Sequence, residues 1–210
     1  MVKTDGGKCG QGEEKKIPCF RCLTPVLFDW AYWAMASTMN PTSIDELWMV
    51  LRERLAEPNY AGAYPTESAF EAVVWTRVVN LATQIGLDVS TACLTSHVEH
   101  ADRSVAAWKG FCQEDTGPDV NVLGSNNRLD IVFKHPEYGS IGIEVKCLGV
   151  SGHAGKLTQG LGQALLGLAH RDRTLLVIHC GTVDANERER LRKVSNKICD
   201  ATKTAVVVVP

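Results

Sequence analysis

Apolar positions recur along this chain with two different periods. Between Thr66 and Ile85 they fall at Phe70, Val73, Val74, Val78, Leu81 and Ile85, a helical spacing that Gly86 brings to a stop. Upstream, Trp30, Trp33 and the series Leu47, Leu51, Leu55 make residues 26–57 helix-rich, with Ser43 ahead of Ile44-Asp45-Glu46 as a helix start and Pro58 as an end. Further on the period shortens to two. Leu129–Phe133 and Ile141–Cys147 flank the turn residues His135-Pro136-Glu137-Tyr138-Gly139, which predicts a hairpin over 129–147. A helix over 155–170, a buried strand over 174–179, a charged amphipathic helix over 184–200 and an apolar strand over 205–209 follow. Residues 87–93 and 120–123 read as short strands and 102–112 as a helix. This order predicts an α/β fold with a mixed central sheet flanked by helices. The glycines and prolines of residues 1–25 mark an irregular Cys-containing arm; residues 26–65 read as a helical N-terminal extension and 66–210 as the α/β core.

Composition narrows the class. With 45% hydrophobic and 22% charged residues the chain is neither a disordered tail nor a low-complexity linker. Its formal charge of −2 argues against a basic nucleic-acid coat but leaves room for a local basic channel. No apolar run approaches the roughly 18 residues of a membrane span, and Met1–Gly12 lacks the apolar stretch of a secretory signal. The expectation is an intracellular (cytoplasmic) protein with no membrane partner. Eight cysteines are too dilute for a disulfide miniprotein. Cys147, Cys180 and Cys199 lie in apolar segments, where cysteine acts as a small buried hydrophobe. Cys19 and Cys22 have the spacing of half a zinc knuckle. With Cys9 they offer three thiolates where Zn²⁺ takes four ligands, so a zinc site stands beside the plainer reading of a mobile arm with reduced thiols.

The hairpin carries the chemistry. Along its second strand Ile141, Ile143 and Val145 share one face and Gly142, Glu144 and Lys146 the other, so the acid and the lysine stand side by side. On the first strand Leu129, Ile131 and Phe133 are expected on one face, with Asp130 on the other, where pairing can bring it to Glu144. Two carboxylates one pairing apart make a hard-oxygen site suited to Mg²⁺ or Mn²⁺. A neighbouring ammonium could orient or deprotonate a water and offset developing charge. An isolated acid-x-Lys is more often a solvated strand face; the acid on the preceding strand and the glutamine-bearing helix that follows set this one apart.

The segment Asn127-Arg128-Leu129-Asp130-Ile131-Val132-Phe133, a turn, then Gly142-Ile143-Glu144-Val145-Lys146 resembles the PD-(D/E)xK nuclease superfamily, the restriction-endonuclease-like fold. Leu129 stands where the motif name has proline. The order of elements resembles that fold over about 66–209, and the motifs over 127–163. The resemblance implies a restriction-endonuclease-like core and a metal-dependent nuclease, with DNA the favoured substrate. It also implies roles: Asp130, Glu144 and the carbonyl of Val145 for the metal, Lys146 for the attacking water. A further acid on the preceding helix is a frequent feature of the superfamily, so the resemblance implies that Glu67 or Glu71 completes the metal site. Glu67 falls inside the apolar stripe and Glu71 at its edge, although acids also favour a helix N-terminus for its dipole. Gln159 and Gln163, four apart on one helix face, resemble the glutamine motif of several branches and would orient the scissile phosphate.

Other features read more plainly. Gly160, Ala164 and Gly167 form a small-residue stripe that calls for a close neighbour. His153 and Lys156 sit in or beside a flexible loop, as its polar groups. The mixed charges of Arg188, Arg190, Arg192, Lys193 and Lys197 with Glu187 and Glu189 describe a solvated helix face. Trp30, Trp33, Trp48 and Trp75 read as core, and His97 with His100 lacks a ligand partner. The leading expectation is a Mg²⁺-dependent endonuclease acting on DNA, as a homodimer or within a larger assembly if it cuts both strands. The alternatives are a catalytically silent nuclease-fold binding or scaffolding protein, and a zinc-organised nucleic-acid adaptor.

Overall fold

The computed structural model describes residues 40–96, 120–122, 125–148 and 153–210. The arm with Cys9, Cys19 and Cys22, the tryptophans at 30 and 33, the helix expected over 102–112 and the pair His97 and His100 lie outside the described residues.

Helix α1, Ile44–Ala56, starts where Ser43 accepts a hydrogen bond from the Glu46 amide at 3.3 Å. Helix α2, Glu67–Gln84, starts in the same way at Thr66, whose hydroxyl accepts from the Ala69 amide at 3.1 Å. It ends at Gly86, whose positive φ of 76° closes the turn. Residues 87–93 are not one strand. The Asp88 carboxylate accepts from the Ser90 amide and starts a four-residue helical turn, α3 (Val89–Ala92), before a short strand β1, Cys93–Thr95. Strands β2 (Val120–Val122) and β3 (Ser125–Asn127) pair with each other as a separate ribbon. The predicted hairpin is β4, Ile131–His135, and β5, Gly139–Cys147. After it come α4 (His153–Gly167), β6 (Arg173–His179), α5 (Ala185–Ala201) and β7 (Thr204–Val209).

The main sheet has five strands in the order β1-β4-β5-β6-β7. Pairs β1/β4 and β4/β5 are antiparallel, whereas β5/β6 and β6/β7 are parallel. The sheet is therefore mixed and the class α/β. One face carries Ile131, Phe133, Ile141, Ile143, Val145, Leu175 and Val177, which pack against α1 and α2. The opposite face of β6 and β7 carries Leu176, Ile178 and Val206, which pack with residues of α4 and α5. Alternation along β5 thus assigns its acid and lysine to the α4 side.

Two expectations change. Leu129 does not share the face of Ile131 and Phe133. It meets Gly142 and Gly167 on the α4 side, because β4 begins only at Ile131 and the chain bends at Asp130. Residues 44–56 do not stand apart as an extension: Leu47, Leu51 and Leu55 are fully buried in the same core as α2, and the Trp48 indole donates to the Thr174 carbonyl at 3.0 Å. Truncating one of these leucines should therefore cost what a central core residue costs. Leu51→Ala is expected to lower unfolding stability by about 2–5 kcal/mol in urea titration. A loss below about 0.5 kcal/mol would mean that α1 is peripheral.

Candidate functional site

The site forms at the C-terminal end of β5. Ladder partners Ile131 and Ile143 place Asp130, one residue before β4, at the level of Glu144. Val145 lies beyond the described β4 ladder, and its amide donates instead to Asp130 Oδ2 at 2.8 Å. The carboxylate replaces a strand carbonyl and is fixed against β5.

Glu144 is fully buried and Lys146 is 7% exposed. Lys146 Nζ lies 2.6 Å from Glu144 Oε1 and 3.4 Å from Glu67 Oε1, and donates to the Val145 carbonyl at 3.1 Å. Glu67 Oε2 accepts from the Cys147 amide at 3.0 Å. The first residue of α2 therefore binds both the lysine and the strand that carries it. Glu71 lies one turn further along α2 and is 1% exposed. Of the two upstream acids, Glu67 is the one seen to bind the lysine.

The electrostatics are unbalanced. Three carboxylates, those of Glu144, Asp130 and Glu67, act on one ammonium. Burial, and then Asp130, push the Glu144 carboxyl up to about 8 even though Lys146 pulls the other way. Burial works against the Lys146 ammonium, but Glu144, Asp130 and Glu67 outweigh it and raise its pKa, so it stays charged. Glu144 Oε2 is buried without a hydrogen bond among the described residues. An acceptor of this kind is costly to bury. A divalent cation is a ligand that would satisfy it and relieve the repulsion between the acids.

Among the described residues no three His, Cys, Asp or Glu side chains form a ready-made metal cage. Mg²⁺ does not require one, since it binds through one or two carboxylates and keeps several waters. Asp130, Glu144 and the Val145 carbonyl fit that donor set.

Helix α4 covers the site with glycine. A Cβ on Gly160 would stand 2.7 Å from Lys146 Cγ and 2.9 Å from Leu176 Cδ1. The small-residue stripe therefore seats the helix on the sheet, with Gly160 over the lysine stem and Gly167 over Leu129. Residues advance about 100° each around a helix. Gln163 is thus turned about 60° from Gly160 and is half-buried, while Gln159 is turned about 100° and is exposed. Both line an open groove of about 630 Å³ with Ala154, Thr158 and Gly162. Gln163 Oε1 is buried without a hydrogen bond among the described residues. Among the described residues no hydrogen bond is seen from either glutamine to Asp130, Glu144 or Lys146.

Three contributors were not legible as such. Lys156 belongs to α4 rather than a loop, and its ammonium donates to the Cys147 carbonyl at 2.8 Å. His179 contacts Cys147 Sγ through Nδ1 at 3.5 Å, because the parallel register sets these two residues side by side. Cys147 itself read as a buried hydrophobe. No local pattern marks these contacts, which arise only when α4 and β6 dock on β5. Comparison with protein-family models, with curated proteins and with solved structures found no match.

The glycines of α4 give opposite expectations. Gly160→Ala should destabilise by about 1–3 kcal/mol through overpacking on Lys146 and Leu176. Gly162→Ala, where a Cβ would meet nothing within 4 Å, should stabilise by about 0.4–1 kcal/mol. Denaturant midpoints of the two variants check this, and equal shifts of one sign would contradict the assigned packing.

Proposed function

We propose that this chain is a metal-dependent nuclease with a restriction-endonuclease-like core, hydrolysing phosphodiester bonds in nucleic acid, with DNA as the favoured substrate. The observation that carries the reading is the buried Glu144–Lys146 pair, with Asp130 fixed beside it and Glu144 Oε2 left without a hydrogen bond. Its likeness to the PD-(D/E)xK pattern gives the chemistry its name. Asp130, Glu144 and the Val145 carbonyl would hold Mg²⁺ or Mn²⁺, which when bound supplies Lewis-acid activation of the phosphate and of water.

The chain's own residues define the other roles. Lys146 stays protonated, which favours electrostatic work over proton abstraction: it orients the water and offsets charge building on the phosphate. Glu67 steers the ammonium and is a positioning residue in this scheme. Gln163 and Gln159, along the α4 groove, would bind the nucleic-acid backbone beyond the scissile phosphate. A single site cuts one strand, so duplex cleavage calls for two copies. No helix among the described residues is long and apolar enough to cross a membrane.

Supercoiled plasmid tests the reading. With Mg²⁺ or Mn²⁺ the protein should nick or linearise it, EDTA should stop the reaction, and Lys146→Ala should lower the rate by about 10²–10³-fold. Activity that survives in a folded Lys146→Ala variant would remove the site from this role. A folded wild type that neither cleaves duplex or single-stranded DNA nor binds the metal would favour the silent scaffold.

A further inference from the structure

We propose that His179 is a positioning residue, a clamp that holds Glu67 in the site by gripping both sides of the Glu67–Cys147 contact. What the clamp does for catalysis rests on the nuclease reading; the clamp itself does not.

The geometry is specific. His179 ends β6 and is 1% exposed. Its Nε2 lies 3.1 Å from the Ala61 carbonyl oxygen, which only accepts, so Nε2 carries the proton and donates. In the neutral ring Nδ1 is then the acceptor, and it takes the Cys147 thiol proton across 3.5 Å. One nitrogen thus holds the segment that leads into α2, six residues before Glu67. The other holds Cys147, whose amide donates to Glu67. The ring also packs edge-on to Tyr64, with centroids 4.8 Å apart, and at a tilt to Phe70, at 5.2 Å. Tyr64 in turn accepts from the Ala61 amide at 3.1 Å. The segment between α1 and α2 is therefore fastened to β6 through this ring.

The groups around His179 come from several elements. Cys147 faces it from β5, Tyr64 from the segment before α2 and Phe70 from α2. Glu67 and Lys156 stand one contact away, on the Cys147 amide and carbonyl. Its ladder partner on β7 is Val209, which brings no charge. Protonation of Nδ1 would set two donors against each other at Cys147. Burial lowers the His179 pKa from its ordinary 6.5. The neutral clamp is thus fully present above about pH 6.5 and is lost as pH falls through the lower folded value.

Amide hydrogen exchange reads the clamp without any need for cleavage. The Cys147 amide reports the Glu67 bond, and the Leu148 amide, which donates to the His179 backbone carbonyl at 2.9 Å, is the internal reference. In His179→Leu the Cys147 protection factor should fall at least about tenfold relative to Leu148, as it should in Glu67→Gln, and the double variant should show no further loss. His179→Gln, which keeps a donor for the Ala61 carbonyl, should lose less. In the wild type the Cys147-to-Leu148 ratio should fall below pH 6.5, in step with protonation of the His179 ring followed by NMR, and in the Gln variant it should stay level. A folded His179→Leu with an unchanged ratio overturns the proposal, as does equal loss at both amides. If His179→Leu does not fold, the wild-type titration decides: a ratio that stays flat while NMR shows the His179 ring taking up its proton overturns the clamp. Cleavage plays no part in these outcomes, so they stand apart from those of the plasmid assay.

Discussion

The architecture around the site turns on a carboxylate and an ammonium buried side by side on one strand. Glu144 and Lys146 lie on the face of β5 that α4 covers, and the opposite face of that strand is apolar core. Removing ions from water costs several kcal/mol each, and their mutual attraction often fails to repay it. Such a pair is weak evidence for stability. Its surroundings are built for something else: Glu67 and Asp130 add negative charge, while Gly160 lets the helix close over the lysine stem. The result is a buried site in which three carboxyl groups surround one ammonium.

Much of the fold follows from local pattern. The caps at Ser43 and Thr66, the stop at Gly86 and the alternation on β5 are short-range signals, and α1, α2 and β5 lie within a few residues of their expected places. Where the reading went wrong, a local interaction or a tertiary one prevailed. Asp88 capped a helical turn where a strand was expected, and a bend at Asp130 turned Leu129 to the other face. Helix α4 stops at Gly167, ahead of its predicted end, because the chain passes into tighter turns such as the bond from the His170 amide to the Gly167 carbonyl.

The candidate site was half legible. Asp130, Glu144 and Lys146 are visible because period two and a single hairpin place them. Glu67 could be singled out only as an acid inside an apolar stripe; its grip on Lys146 and on the Cys147 amide comes from the docking of α2 against β5. Lys156 stood out only as a polar group at a loop, and His179 not at all. They matter because α4 and β6 bring them to Cys147, a residue whose amide, carbonyl and thiol all have partners. The strand end beside the Glu144–Lys146 pair is held from three directions.

The central proposal is that Asp130 and Glu144 bind one divalent cation. Diffraction from crystals grown with Mn²⁺, measured at the manganese edge, tests it most directly. The account predicts one anomalous peak at the carboxylates of Asp130 and Glu144, absent from Glu144→Gln crystals. Wild-type crystals with no peak there, or with a peak only at surface carboxylates, would contradict it.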